Sequence, residues 1–230
     1  MRQAEMIKIV NDFARPGDVS LCAAGSLPGD LRQLWDCSDD RHCMLEFGYS
    51  CMSWEIPAGI GAKMANPNRE VFVMIGDGTY LMNPAEIVTA VQEGIKIIIV
   101  LSHNHGFQVI RRLQEGSTGA AFGNEFRMRD EGTNRLTGAY LSIDYAKNAE
   151  SMGAVGLRAE TPDELRQALE EARNVVRRPV VIDVATYPEA VSPETGVWWD
   201  VATAEVSGRP EIEPIHAAYV KAQKTQRVHY

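Results

Sequence analysis

Three strand-sized stretches of this chain are apolar almost residue for residue, and they restrict what it can fold into. They are Glu70-Val71-Phe72-Val73-Met74-Ile75, Lys96 to Leu101 and Pro179 to Val184. Strands with one wet face alternate apolar and polar residues, whereas runs without alternation belong to strands buried on both faces, as in parallel sheets. Helical punctuation stands between them. Asn83 is placed as an N-cap, Pro84 at the first helical position, Glu86 three residues after the cap and Gly94 as the stop. Met82 and Ile87 have the spacing of a hydrophobic staple, and Ile87, Val88 and Val91 form an apolar face. A second such helix opens at Thr161-Pro162-Asp163-Glu164 and continues through Leu165, Leu169 and Ala172. Strands alternating with helices predict a three-layer α/β fold: a mostly parallel central sheet, right-handed crossovers and helices on both faces.

The amino-terminal part extends the pattern. Met1 to Phe13 reads as an amphipathic helix stopped by Arg15-Pro16-Gly17-Asp18, and Val19 to Ala23 as a short apolar strand. Gly25-Ser26-Leu27-Pro28-Gly29 reads as a turn before a helical stretch from Asp30 to Trp35. From Gln114 to Tyr140 the chain is studded with glycine and has little periodicity; loops that long inside compact domains commonly serve as lids, and a lid is expected here. The length of 230 residues suits one α/β domain, with a carboxyl-terminal tail from about residue 187.

Composition narrows the partners. The 23 Lys and Arg against 31 Asp and Glu leave a formal charge of −8 and a pI near 5.2, a poor match for nucleic acid or an anionic membrane. No apolar run has the length of a membrane span, and Met1 to Asn11 has no signal-peptide core, so a cytoplasmic location is expected. Cys22, Cys37, Cys43 and Cys51 contain no Cys-x-x-Cys pair; despite His42 beside Cys43, free thiols are the expected state.

The chemistry is carried by Gly76-Asp77-Gly78, which directly follows a strand. One βαβ unit later the next strand ends and Asn104 follows, 27 residues after Asp77. Neighbouring parallel strands would bring both side chains to one edge of the sheet, where such folds bind ligands. A carboxylate, an amide oxygen and backbone carbonyls are hard oxygen ligands suited to Mg²⁺, which completes its shell with water and phosphate oxygens. Taken singly, Asp77 is equally a turn aspartate, Met52 a core side chain, Gly25-Ser26 a plain turn and His105 a loop histidine; their order in combination carries the argument.

Gly76 to Gly106 resembles the motif of thiamin-diphosphate enzymes, a Gly-Asp-Gly separated by one βαβ unit from an Asn. The resemblance implies that Asp77 and the Asn104 side chain bind Mg²⁺ with the Gly106 carbonyl as third protein ligand. It places Gly76, Gly78, Thr79 and Phe107 beside the cofactor. His103 stands where the family commonly has a first Asn, which is not a ligand. Gly48-Tyr49-Ser50-Cys51-Met52-Ser53-Trp54-Glu55 and the residues to Lys63 resemble the segment beneath the cofactor in acetolactate-synthase-like enzymes. Met52 is thereby implied as the wedge between the two cofactor rings. Its N–H and the Ser50 carbonyl, flanking Cys51, would meet the aminopyrimidine. Gly25, Ser26 and Leu27 match the turn that helps hold the diphosphate.

Ala23 to Leu31, Glu46 to Met52, Asn104 to Phe107, Phe122 to Arg127, Asp144 to Lys147, Trp198 to Val201 and Ala204 to Ser207 resemble the trihydroxycyclohexanedione hydrolases of inositol catabolism, over their carboxyl-terminal third. Those enzymes open a cyclic 1,2-dione by hydrolysing a carbon–carbon bond. His105, Phe107 and Gln108 are the implied neighbours of the reacting carbon. In the family, the glutamate that activates the cofactor belongs to a separate pyrimidine-binding domain, and Glu46 and Glu55 lie on the wrong domain to replace it. A split enzyme is therefore expected, with a partner chain supplying that domain and two copies of each chain in the assembly. An acetolactate-type 2-keto-acid decarboxylase or acyloin synthase would share every residue named. A non-catalytic regulatory subunit is a reading that the intact Asp77, Asn104 and Met52 oppose.

Overall fold

A computed structural model of the chain describes residues 1–46, 48–188 and 202–225. Phe47 and Trp198 to Val201, which carry part of the resemblance above, lie outside the described residues. Six strands form one all-parallel sheet: β1 (Val19–Cys22), β2 (His42–Leu45), β3 (Val71–Gly76), β4 (Ile98–His103), β5 (Val155–Ala159) and β6 (Val180–Ala185), in the spatial order β2-β1-β3-β4-β6-β5. The three apolar runs are its central strands β3, β4 and β6, and their first five residues are buried.

Alternate residues of each strand feed two cores. On one face Phe72, Met74, Ile98, Val100 and Ile182 pack under α1 (Gln3–Phe13), α2 (Leu27–Leu34) and α8 (Pro162–Asn174), through Ile7, Leu31 and Leu169. On the other, Val71, Val73, Ile75, Ile99 and Leu101 pack under α3 (Glu55–Ala65), the one-turn α4 (Asp77–Tyr80), α5 (Glu86–Gln92) and α7 (Tyr145–Ser151). The result is the three-layer architecture expected from the sequence, because period-2 side-chain alternation demands cover on both faces. α6 (Gln108–Thr118) and α9 (Ile212–Gln223) contact one another beside these layers.

Local chemistry explains most boundaries. Thr161 and Glu164 form the reciprocal capping box that opens α8. The start of α5 differs from expectation. Ile87 and Val88 donate to the carbonyls of Pro84 and Ala85, three residues back, so a tight turn precedes the helix, which begins at Glu86 without a side-chain cap. Met82 stays 53% exposed and does not staple against the fully buried Ile87. α2 opens at Leu27 rather than Asp30, with Pro28 in its first turn.

Seven elements escape the sequence pattern: β2, β5, α3, α4, α6, α7 and α9. β2 and β5 are edge strands whose runs are interrupted by polar residues or glycine, and exposed positions alternate in β2. α3 is disguised by Pro57, Gly59 and Gly61. Gly59 is needed for close packing, since a Cβ there would sit 2.4 Å from the Val73 side chain. α6 absorbs Gln114 to Thr118, the first part of the expected lid. No helix among the described residues is long and apolar enough to cross a membrane.

Candidate active site

The parallel pairing of β3 with β4 sets Gly76 opposite Ser102, so both strands deliver their next residues to the same edge. Asp77 leads into α4 and is fully buried. Its Oδ1 accepts the N–H groups of Gly78 (2.7 Å) and Gly106 (3.2 Å), and its Oδ2 accepts those of Asn104 and Gly106 (both 3.1 Å). The carboxylate thus pins the loop after β4 to the end of β3. Burial raises its pKa to about 6, opposed by nearby His103 and by backbone N–H bonds.

The Asn104 Oδ1 beside it is buried and accepts no hydrogen bond, and the Gln108 and Asn124 side-chain oxygens are in the same state. Each buried orphan acceptor costs about 1–3 kcal/mol, which a hard cation and its water would offset. A desolvated carboxylate next to an orphan amide oxygen fits a Mg²⁺ site. Among the described residues no three His, Cys, Asp or Glu side chains gather as an alternative metal site, and the four cysteines are free thiols.

Above this floor lies a cavity of about 340 Å³. The turn after β1 contributes Gly25, Ser26 and Leu27, and the loop before α3 contributes Ser50 and Met52. The ends of β3 and β4 contribute Gly76, Gly78, Thr79, Asn104 and Gly106, followed by Phe107 and Gln108 at the start of α6. Asp77 lies beneath the lining. Cys51 is exposed and does not line the cavity. His105 faces a second cavity of about 430 Å³, together with His103, Tyr140 and Asp183. There His103 Nδ1 and Asp183 Oδ1 are 3.0 Å apart.

Gln3, Ile110 and Leu113 line the first cavity without having been foreseen. Gln3 is buried on the inward face of α1, donating to Ser26 Oγ (2.9 Å) and Asp30 Oδ2 (2.7 Å). A glutamine on the core side of an amphipathic helix was the available signal. Ile110 and Leu113 lie one turn apart on α6, a helix that no capping residue in the sequence announces.

The Met52 loop is held from both sides. Ser50 Oγ donates to the Ala23 carbonyl (3.0 Å), and Glu46 Oε1 accepts the Tyr49 N–H (3.1 Å). Glu55, at the start of α3, is 1% exposed, and its Oε2 has no partner. Burial pushes its pKa up to about 7 against the opposing backbone N–H groups of Glu55 itself, Ala24, Ala23 and Ser53. A carboxyl whose folded pKa is raised contributes its full stability below the unfolded value near 4.5, and loses it as pH rises through about 7. Glu55→Gln is therefore expected to raise the unfolding free energy by about 2–3 kcal/mol at pH 8 and by less than about 1 kcal/mol at pH 5. Urea denaturation at the two pH values checks this; equal effects at both would contradict the desolvation of Glu55.

Residues 23–184 match the family described as thiamine pyrophosphate enzyme, C-terminal TPP binding domain. The chain belongs to this family. Its matched region runs from the turn after β1 to the last residues of β6 and so contains every element that builds the cavity except α1. Three proteins named 3D-(3,5/4)-trihydroxycyclohexane-1,2-dione hydrolase are similar to it. That of Geobacillus thermodenitrificans is 39% identical over 228 residues, covering 99% of this chain and 35% of that protein. That of Halalkalibacterium halodurans is 39% identical over 227 residues, covering 98% and 34%. That of Clostridium botulinum is 36% identical over 222 residues, covering 96% and 34%. This thiamin-diphosphate-binding domain therefore spans about a third of the length of the relatives it matches.

Proposed function

We propose that this chain is the diphosphate-holding part of an enzyme that cleaves a carbon–carbon bond next to a carbonyl, with a polyhydroxylated cyclic 1,2-dione as substrate. The observation that carries the proposal is the buried Asp77 carboxylate joined by backbone bonds to the loop of the orphaned Asn104 amide, at the edge of a thiamin-diphosphate-binding domain. The relatives named as dione hydrolases supply the substrate class.

In this reading Asp77, the Asn104 side chain and the Gly106 carbonyl hold Mg²⁺. The turn Gly25-Ser26-Leu27, at the amino end of α2, offers backbone N–H groups and a favourable helix-end potential to the diphosphate. Met52 lines the cavity with Ser50 and Thr79 and would wedge between the cofactor rings. Phe107, Ile110 and Leu113 give the wall an apolar surface. Gln108 Nε2 donates to the Asn104 carbonyl (2.8 Å), which ties the start of α6 to the loop of the metal ligands, while its buried Oε1 has no partner. The chemistry supplied by bound thiamin diphosphate is a nucleophilic carbon and an electron sink for the bond beside the carbonyl.

Among the described residues the cavity lining contains no glutamate, and the relatives are about three times as long as this chain. We assign the activating glutamate to a pyrimidine-binding domain on a partner chain, in an assembly with two copies of each. The acidic charge and free thiols accord with a cytoplasmic enzyme. Without that glutamate the cofactor loses a proton-transfer partner of the kind that contributes about 10²–10⁴-fold. The chain alone is therefore expected to turn over a cyclic 1,2-dione at no more than about 1% of the partnered rate. Robust turnover by the purified chain would refute the split. Release of carbon dioxide from pyruvate, with no consumption of dione, would instead favour the acetolactate-type chemistry.

A further inference from the structure

The segment from Gly119 to Leu141 lies where a lid was expected, yet none of its residues lines the cofactor cavity. It doubles back on itself, with the Met128 N–H donating to the Ala139 carbonyl (2.9 Å) and the Leu141 N–H to that of Phe126 (2.8 Å). Its contacts run to the floor of the site. The Phe107 N–H donates to the Asn124 carbonyl (2.7 Å), and the Phe126 N–H to that of His105 (2.9 Å). These bonds bracket Gly106.

Side chains complete the attachment. His105 has φ +64°, a left-handed conformation that a non-glycine residue keeps only when its surroundings impose it. Its imidazole lies flat on the Tyr140 ring, with centroids 4.2 Å apart and planes within 11°. The Arg127 guanidinium sits 3.8 Å from the centre of the same ring, so Tyr140 is sandwiched. Glu125 locks the stack by accepting from Arg127 Nε (2.8 Å) and from the Tyr140 hydroxyl (2.7 Å).

We propose that this segment is a buttress rather than a lid, and that Tyr140 is a positioning residue whose stack with His105 and Arg127 presets the Asn104–Gly106 loop for Mg²⁺. The inference rests on the reading of Asp77, Asn104 and Gly106 as the metal ligands. A preset loop spares the ordering cost that binding would otherwise incur, so losing the stack weakens the metal more than the organic part of the cofactor.

The test titrates MgCl₂ into the full chain at fixed thiamin diphosphate, read by calorimetry, with thiamin diphosphate titrated separately at saturating Mg²⁺. Tyr140→Ala is expected to raise the apparent Mg²⁺ Kd about tenfold or more, with the cofactor Kd at saturating Mg²⁺ within about threefold of native. Tyr140→Phe keeps the ring and is expected to stay within about threefold for both. Arg127→Gln, on the accessible side of the stack, gives an intermediate loss and serves if Tyr140→Ala does not fold. Asp77→Ala separates the two levels of inference. If Asp77→Ala loses Mg²⁺ while Tyr140→Ala and Arg127→Gln bind as native, the buttress is overturned and the metal assignment stands. If Asp77→Ala binds as native, or the native chain shows no Mg²⁺-dependent binding, the underlying assignment fails. A Tyr140→Phe loss as large as that of Tyr140→Ala would overturn the stacking basis.

Discussion

Asp77→Ala is expected to weaken Mg²⁺-dependent binding of thiamin diphosphate by about 100-fold or more. Removing one partner of a buried charged pair costs about 3–5 kcal/mol, and each 1.4 kcal/mol is tenfold in affinity. The substitution deletes the charged oxygen ligand, and it also strands the N–H groups of Asn104 and Gly106, which lose their acceptor. Calorimetric titration with MgCl₂ and thiamin diphosphate is the direct measurement. Its pH dependence provides an internal check. Burial holds the Asp77 carboxyl near a pKa of about 6, well above its ordinary 3.8. Only the ionised form serves a cation, so protons compete below pH 6. Affinity should fall by up to about tenfold per pH unit there and level off above pH 7, and the residual binding of Asp77→Ala should show no such slope. Native-like affinity in the variant would remove the metal assignment altogether.

Gly106→Ala is expected to harm both the fold and the site. Gly106 has φ +131°, and a Cβ there would lie 2.3 Å from the Asn124 carbonyl oxygen and 3.0 Å from the Glu125 Cα. Both obstacles are backbone atoms, so no side-chain rotation relieves the clash. Strain of this kind costs about 2–4 kcal/mol, which in a domain of this size lowers the melting midpoint by about 5–15 °C. Relief requires the 124–126 strand to separate from the loop, which breaks the Phe107–Asn124 bond and moves the Gly106 N–H off Asp77. Gly76→Ala is the matched comparison, because a Cβ at Gly76 meets nothing within 4 Å. Its melting midpoint should remain within about 2 °C of native. Scanning calorimetry of the two variants decides the matter; similar midpoints would mean that the close approach of residues 106 and 124 is not maintained in solution.

The central strands were legible because burial on both faces leaves few polar positions, and the capping box at Thr161 because its two bonds are local. Edge strands β2 and β5 were not, since one flank of each lacks a neighbour and their side chains are only partly covered. α3 and α6 were missed for different reasons. Gly59 in α3 serves packing against Val73 rather than helix propensity, and α6 begins inside a segment whose residues were read for ligand chemistry alone. The turn at Pro84 shows a strong local signal overridden, for the chain tightens there before the helix proper starts.

What the sequence by itself determined was the pairing of a carboxylate at one strand end with an amide at the next, because a βαβ unit of fixed length and hand leaves little freedom in where its ends fall. It also determined the two-faced sheet, since side-chain alternation is a property of the backbone. Only the tertiary structure decided which way the residues that follow those anchors face. His105 follows Asn104 directly, yet it turns from the cofactor cavity onto Tyr140, 35 residues away in sequence, under Arg127. No local rule encodes that turn. It follows from a left-handed backbone held in place by contacts with a distant segment, and such contacts exist only once the chain has closed on itself.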